Sequence, residues 1–361
     1  MKHCTRVLRD IAAYNTVNPT GDESALAMYL AKQLQDLKPD QLDIVTGIAR
    51  PHGATGYVYA RWGTPRLLLN AHMDTVPANA GWNTDPWTLH DDGEKLTALG
   101  ACDTKGAMAA IISALHIAPP RDIAVLFSGD EEGSCKSMAA FLASDHKHGI
   151  KHAIVCEPTG ALIGVKHRGI LSLRFEVQGR GGHSSGADHM PAPLADLARL
   201  AVALHDFGRE QRNRGPDGFQ GLCLNIAELH GGVAFNVVPD NAALTVSLRP
   251  PPGAHNAEML DRVLAIATQI CPDAVCRIQI DQPAFDAQPS QDFLARFPSP
   301  MPERIALPYW TEAALLCEAG IEAVVFGPGH TAQAHAPNEW VTHQQLREVR
   351  DTFVGVIIGT C

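Results

Sequence analysis

The stretch Leu67-Leu68-Leu69-Asn70-Ala71-His72-Met73-Asp74-Thr75-Val76 decides how the rest of the chain is read. A short apolar run, bounded by Pro65 and Pro77, ends in a histidine and an aspartate two residues apart. The run predicts a buried strand. Side chains alternate along a strand, so His72 and Asp74 point the same way if the extended backbone persists. At the carboxyl end of a parallel strand, that direction leads into the crevice where α/β proteins bind ligands. A neutral imidazole there suits zinc or a similar ion, and a carboxylate beside it can orient the ring. One His-x-Asp carries little weight without partners at other strand ends.

Working outward, residues 3–14 and 22–37 read as helices, the second with Leu26, Leu30, Leu34 and Leu37 on one face. Strands follow at 57–62 and 67–71, a Trp- and Pro-containing loop at 81–87, and a helix at 104–117. An apolar strand at 123–128, a helix at 137–144 and a short strand at 153–156 complete a run of alternating elements. Such alternation predicts a parallel α/β sheet. The pattern then changes. Leu171, Leu173, Phe175 and Val177 alternate with polar neighbours, as do Leu244, Val246 and Leu248. One covered and one wet face means an antiparallel sheet. With helices near 191–207 and 256–270, and strands near 222–228, 234–238 and 275–280, the order β-α-β-β-α-β matches a ferredoxin-like unit. We therefore expect a catalytic α/β domain of mixed, largely parallel sheet in two pieces, 1–166 and 281–361. An α+β domain at 167–280 is inserted between them. The second piece carries a strand at 323–326 and a helix near 342–358.

The 361 residues exceed one ordinary domain, and 45% are hydrophobic, enough for a sizeable core. A net charge of −10 argues against nonspecific binding to nucleic acid or an acidic membrane surface. The nine cysteines show no CxxC pair and read as reduced thiols. The charged start has no secretory h-region and no apolar run spans a membrane, so a cytoplasmic protein is expected.

Five predicted strands of the α/β part are followed by metal-capable side chains. His72 and Asp74 follow 67–71, Asp103 follows 96–100, and Asp130-Glu131-Glu132 follow 123–128. Glu157 follows 153–156, and His335 comes after the strand at 324–326 and Gly-Pro-Gly. Taken singly, Asp103 reads as a helix N-cap, the acidic triplet as a solvated turn, and Glu157 and His335 as loop residues. Together, five strand ends on one edge of a sheet suggest a site. Two histidines and three carboxylates suit two divalent ions about 3.5–4 Å apart, one carboxylate bridging. A further carboxylate is then needed as general base, and adjacent Glu131 and Glu132 can divide these tasks.

These motifs resemble the M20 co-catalytic metallopeptidase family, which includes acetylornithine deacetylase, succinyl-diaminopimelate desuccinylase, aminoacylase and glutamate carboxypeptidase. They are His72-x-Asp74, Asp103 with Lys105-Gly106, Asp130-Glu131-Glu132, Glu157-Pro158-Thr159 and His335-x-Pro337-x-Glu339. The resemblance implies a zinc-peptidase-like catalytic domain and a lid or dimerisation role for the insert. It assigns His72, Asp103 and Glu157 to one metal and Asp103, Glu132 and His335 to the other. Glu131 becomes the general base, with Asp74 supporting His72. A glutamate at 157 goes, in that family, with deacylases and carboxypeptidases. In the insert, His183 in Gly182-His183-Ser184-Ser185 matches a histidine that reaches the scissile carbonyl from the other subunit of a dimer. Asn236 and Arg249 match substrate-contacting positions, Arg249 facing the substrate carboxylate. Two departures stand out. Ala98-Leu99-Gly100 replaces the usual Gly-Arg-Gly, and Tyr309-Trp310-Thr311-Glu312 replaces a small Gly-Thr turn. Trp310 is expected to reshape a substrate pocket, and Trp82 and Trp87 are weaker candidates for its lining.

The resulting expectation is a homodimeric hydrolase of small N-acyl amino acids holding two divalent ions, zinc or cobalt. N-acetylornithine or N-acetylcitrulline in arginine biosynthesis is the expected substrate. Rival readings are a carboxypeptidase or dipeptidase, an N-succinyl desuccinylase, and a noncatalytic binding homologue. A nicotinamide oxidoreductase is disfavoured, because no GxGxxG follows an early strand.

Overall fold

The structure is a computed structural model and describes residues 1–359. The chain divides into two compact units. One comprises Met1–Val165, Ala287–Leu307 and the chain from Thr311 on; the other comprises Lys166–Asp286 with Pro308–Trp310.

The first unit is built on a mixed sheet in the order Gln41–Arg50, Gly53–Trp62, Ile123–Ser128, Leu67–His72, His152–Val155, Glu322–Val325, Ile163–His167. The four strands from Ile123–Ser128 to Glu322–Val325 are parallel, and their neighbours on both sides are antiparallel. Leu67–His72 and Ile123–Ser128 are buried at every position, as continuous apolar runs in a covered parallel sheet require. The register aligns His72 with Ser128 and Asn70 with Val155, so these strands end on one edge. Helix Lys105–Ile117 is buried from Lys105 to Leu115 and packs between Lys2–Ala12 and His343–Ile358. Its alanine and glycine positions admit close neighbours on several sides. His343–Ile358 opens with a capping box in which Thr342 and Gln345 each bond the other's backbone.

In this unit, two departures stand out from the sequence reading. Gln41–Arg50 is an edge strand with no counterpart there. A bulge between Val45 and Ile48, with Gly47 at φ +76°, breaks the period-two alternation that would have marked it. Second, Asp103 does not follow a strand of the main sheet. Lys95–Thr97 pairs with His90–Asp91 and Trp340–Thr342 in a separate three-stranded sheet. Asp103 instead sits in the turn before helix Lys105–Ile117.

The second unit has a four-stranded antiparallel sheet in the order Asn225–Gly231, Asn241–Leu248, Ile170–Gln178, Val275–Gln282. Its far end lies at Asp286, beyond the expected 280, because Val275–Gln282 continues into Phe285–Asp286, which pairs with Lys166 and His167. Leu171, Leu173, Phe175, Leu244, Val246 and Leu248 form one face, covered by Leu197, Leu200 and Leu204 of Pro193–Glu210 and Val263 of Asn256–Ile270. The strand expected near 234–238 shrinks to Val237–Val238 and pairs with Gly182–His183 in a separate ribbon. No helix among the described residues is long and apolar enough to cross a membrane.

Candidate metal centre

The strand carrying His72 ends there, and the chain turns so that Asp74 is fully buried behind it. The His72 Nδ1 lies 2.9 Å from the Asp74 carbonyl oxygen, an acceptor only, so Nδ1 carries the proton. Nε2 then faces the open side, 2.9 Å from Asp103 Oδ1, to which it donates when the ring is charged, and 3.9 Å from Glu157 Oε1. This backbone acceptor orients the ring as metal-binding histidines are commonly oriented.

The Asp74 carboxylate has a wider task than supporting His72. It accepts the backbone N–H groups of Glu131 and Glu132, each at 3.1 Å, and the Asn18 amide at 2.9 Å. The turn that presents the two glutamates is thus bonded to the end of the neighbouring strand. Asp130 completes it, at φ +61°, accepting from Asn18 and Arg50 on one oxygen and from Ser134 and the Lys136 amide on the other. Of the acidic triplet, Asp130 therefore builds the turn, and Glu131 and Glu132 face the cluster.

Asp103 is the centre of the arrangement. One of its oxygens meets His72, and the other lies 3.2 Å from His335 Nε2, which is 2.8 Å from Glu132 Oε1. Donor atoms of His72, Asp103 and Glu132 lie within 4.8 Å of one another, as do those of His72, Glu131 and Glu157. His335 comes from a long loop after Glu322–Val325 and has φ +55°. Gly327 lets that loop approach the Glu157 turn, since a Cβ there would stand 2.5 Å from the Glu157 carbonyl oxygen. Asp103 itself is held from behind by Glu339. Its carboxylate accepts the N–H groups of Gly100 (2.8 Å), Cys102 (2.8 Å) and Asp103 (2.9 Å).

Electrostatics follow from crowding. Burial, then the charges of Asp103 and Glu131, pushes Glu157 well above the usual carboxylate range. Burial likewise raises Glu131 and Glu132. Asp103 moves down, because bonds to the two imidazoles outweigh its burial. Burial lowers His72, but bonds to Asp103 and Asp74 outweigh it and the net shift is upward. Hydrogen bonds that His335 donates to Asp103 and Glu132 hold its imidazole up at about 10. Among the described residues, the cationic groups within ion-pair distance of Asp103, Glu132 and Glu157 are His72 and His335. Two imidazoles facing four carboxylates, one of them with an oxygen toward each ring, fit a pair of divalent cations.

In the second unit, His183 and Asn236 come together on the small ribbon, where the Ser184 amide donates to the Asn236 carbonyl at 3.1 Å. His183 is exposed. Its Nδ1 accepts from the Ser185 amide at 3.2 Å, which leaves the proton of the neutral ring on Nε2. Arg249 is exposed at the end of Asn241–Leu248, and Arg168 donates to its carbonyl at 3.0 Å. Trp310 is half-buried in this unit, and its indole N–H is taken by the Pro283 carbonyl at 2.9 Å. Trp82 and Trp87 belong to the first unit, on a loop joined to the His335 segment by the Asn79–His335 and Asn83–Asn338 bonds. Asn18 escaped sequence reasoning, as did the roles of Glu312 and Glu339, although both glutamates stand in quoted motifs. Asn18 joins Asp74 to Asp130, Glu312 is buried below the strand ends, and Glu339 cradles the Asp103 turn. The motif containing Glu339 was legible, but its backbone-binding role was not.

The chain resembles known proteins in both sequence and fold. The chain is 31% identical over 368 residues to the N-acetyl-L-citrulline deacetylase of Xanthomonas campestris pv. campestris, covering 98% of this chain and 97% of that protein. It is 32% identical over 326 residues to the acetylornithine deacetylase of Myxococcus xanthus, covering 83% and 81%. In fold it resembles an M20 family metallo-carboxypeptidase from Sulfolobus solfataricus, with a TM-score of 0.78, 16% identity and 99% of each chain covered. Human carnosine dipeptidase 1 gives a TM-score of 0.74 at 16% identity, covering 99% of this chain and 96% of that one. Residues 68–358 match the sequence profile of peptidase family M20/M25/M40, and the chain belongs to that family.

Proposed function

We propose that this protein hydrolyses the amide bond of a small N-acetyl amino acid, releasing acetate and the free amino acid, with N-acetyl-L-citrulline as substrate. The observation that carries the reaction type is Asp103, whose two oxygens face two different imidazoles, each with a further carboxylate beside it. His72, Asp103 and Glu157 would hold one divalent ion, and Asp103, Glu132 and His335 the other. When bound, these ions polarise the amide carbonyl and acidify the attacking water. Zinc or cobalt suits the donor set.

Glu131 takes the proton of that water and returns it to the leaving amine. Burial raises its carboxyl well above the usual range, which suits it to accept a proton and release it again. Asp74 fixes the direction of Glu131 through the backbone bond. His183, with its proton on Nε2 and reaching in from the other subunit of the dimer, would meet the developing oxyanion as a donor. Arg249 pairs with the α-carboxylate and Asn236 contacts the substrate. Trp310 bounds the substrate's side-chain pocket through the body of its indole.

The choice of substrate is supported by the relative named for N-acetyl-L-citrulline, which aligns along essentially the whole chain. N-acetylornithine is the second reading, favoured by two other relatives. The second unit is proposed to mediate a homodimer. Val275, Ile278 and Ile280 on the outer strand Val275–Gln282 are exposed, and an unpaired apolar edge favours pairing with a second copy. The enzyme is proposed to work in the cytoplasm. The test is kcat/KM for N-acetylcitrulline and N-acetylornithine on zinc- or cobalt-loaded protein. A preference for acetylornithine overturns the citrulline assignment, and hydrolysis of neither overturns the deacetylase reading.

A further inference from the structure

The parallel strands that end in His72 and run on to Glu131 share a buried polar cluster just before the metal centre. Asn70 lies two residues before His72, and Ser128 three residues before Glu131. Ser128 stands directly opposite His72 in the ladder. Both polar side chains converge on Glu312, which heads helix Ala313–Glu318 and is 1% exposed. The Ser128 hydroxyl donates to Glu312 Oε2 at 2.7 Å. The Asn70 amide, in the orientation that gives both its ends a partner, donates to the same oxygen at 3.2 Å. The other oxygen, Oε1, is buried without a partner. Burial holds the carboxyl up at about 7, and its charge is felt at Glu131.

A carboxyl in this place is costly to bury, and an apolar side chain of similar volume would be as stable or more so. Packing therefore does not account for it. Its one well-formed interaction is with residues on two adjacent strands, each a few residues before a group that must be held to a fraction of an ångström. We propose that Glu312 is a positioning residue for the pair formed by His72 and Glu131, tying together the two strand ends that present them. The role deepens the hydrolase reading above and rests on it for its effect on turnover. The tie also bears on metal affinity, because His72 is one of the donors of the cluster. A carboxyl and a carboxamide can both accept from Ser128, and the Asn70 amide can turn to suit either.

The test compares Glu312→Gln, Glu312→Ala and Ser128→Ala with the parent enzyme. Two quantities are read on each: zinc affinity of the metal-stripped protein by calorimetry, and kcat and KM of the zinc-loaded protein. Glu312→Gln is expected within about twofold of the parent in both. Glu312→Ala is expected to weaken zinc binding and kcat by about 10- to 100-fold, the usual effect of losing a group that orients a ligand, with KM changed less than about threefold. Ser128→Ala removes one hydroxyl, serves if Glu312→Ala does not fold, and is expected to lower kcat about tenfold. A lowered thermal midpoint with kcat and zinc affinity unchanged per folded molecule means a purely structural role and overturns the proposal. Glu312→Gln as impaired as Glu312→Ala also overturns it, since charge rather than position is then the cause. The zinc measurement needs no substrate. If the parent enzyme hydrolyses neither acetyl amino acid, the substrate reading fails while the affinity comparison still decides the role of Glu312.

Discussion

Replacing Glu339 by alanine probes the support beneath Asp103. One carboxylate there serves three backbone N–H groups, of Gly100, Cys102 and Asp103, all within 2.9 Å. Glu339 is 2% exposed, so no solvent stands ready to replace it. Leaving a buried donor without its acceptor costs about 1–3 kcal/mol. Three such losses do not add fully, and about 4 kcal/mol is expected for local opening of the turn. Because the chain has two compact units, global unfolding is a poor readout, and amide exchange is the better one. In metal-stripped protein, a peptide spanning 98–104 should exchange at least about 30-fold faster in Glu339→Ala, the factor corresponding to about 2 kcal/mol. Glu339→Gln keeps one oxygen, which can serve two of the three donors, but sets an NH2 group against the third. It should fall between the parent and alanine. Zinc affinity should follow the same order, with a loss of about 10- to 100-fold in the alanine variant. Exchange at 98–104 and zinc affinity both unchanged in Glu339→Ala would refute the argument, as would a glutamine variant as loose as the alanine one.

Other consequences are open to direct measurement. His335→Ala should bind about one equivalent of zinc fewer by elemental analysis and lose at least about 100-fold in kcat, since it faces both Asp103 and Glu132; full stoichiometry would contradict its assignment. His183→Ala should lower kcat about 100- to 1,000-fold with little change in KM, as loss of an oxyanion donor does; a rise in KM alone would make it a binding residue instead. Burial and the Asp74 charge hold the Glu23 carboxyl up at about 7 against the pull of Arg50, compared with 4.5 when unfolded. The folded state therefore keeps a proton that the unfolded chain releases, a stabilisation of about 3 kcal/mol present below pH 4.5 and lost as pH rises through 7. Glu23→Gln has no such titration, so its melting temperature should gain on the parent between pH 5 and pH 8; a gap that moves the other way would reverse the sign of this account.

What could be read in advance has a physical pattern. Strand direction and burial leave a period in the chain, and a parallel strand has a defined carboxyl end. His72, Glu131, Glu132 and Glu157 follow such ends, so the sequence could align them without knowing any contact. Asp103 was reached for a partly wrong reason: its preceding strand lies in another sheet, and what brings it to the cluster is the turn held by Glu339. Glu312 and Glu339 were opaque for a common cause. Their partners lie 184 and 236 to 239 residues away, and for Glu339 those partners are backbone N–H groups, which every residue but proline possesses. Glu339 stands in a spaced motif, but that spacing does not reveal which backbone groups it serves. Asp74 lies between the two cases. Its place beside His72 was legible, yet its bonds to the Glu131 and Glu132 amides are not a property of the motif. They exist because the two parallel strands run in register, so the strand end that carries the first imidazole also fixes the turn that carries the base. The separation of ligand and base thus depends on the sheet itself, and a change that slips the register of Leu67–His72 against Ile123–Ser128 should disturb both together.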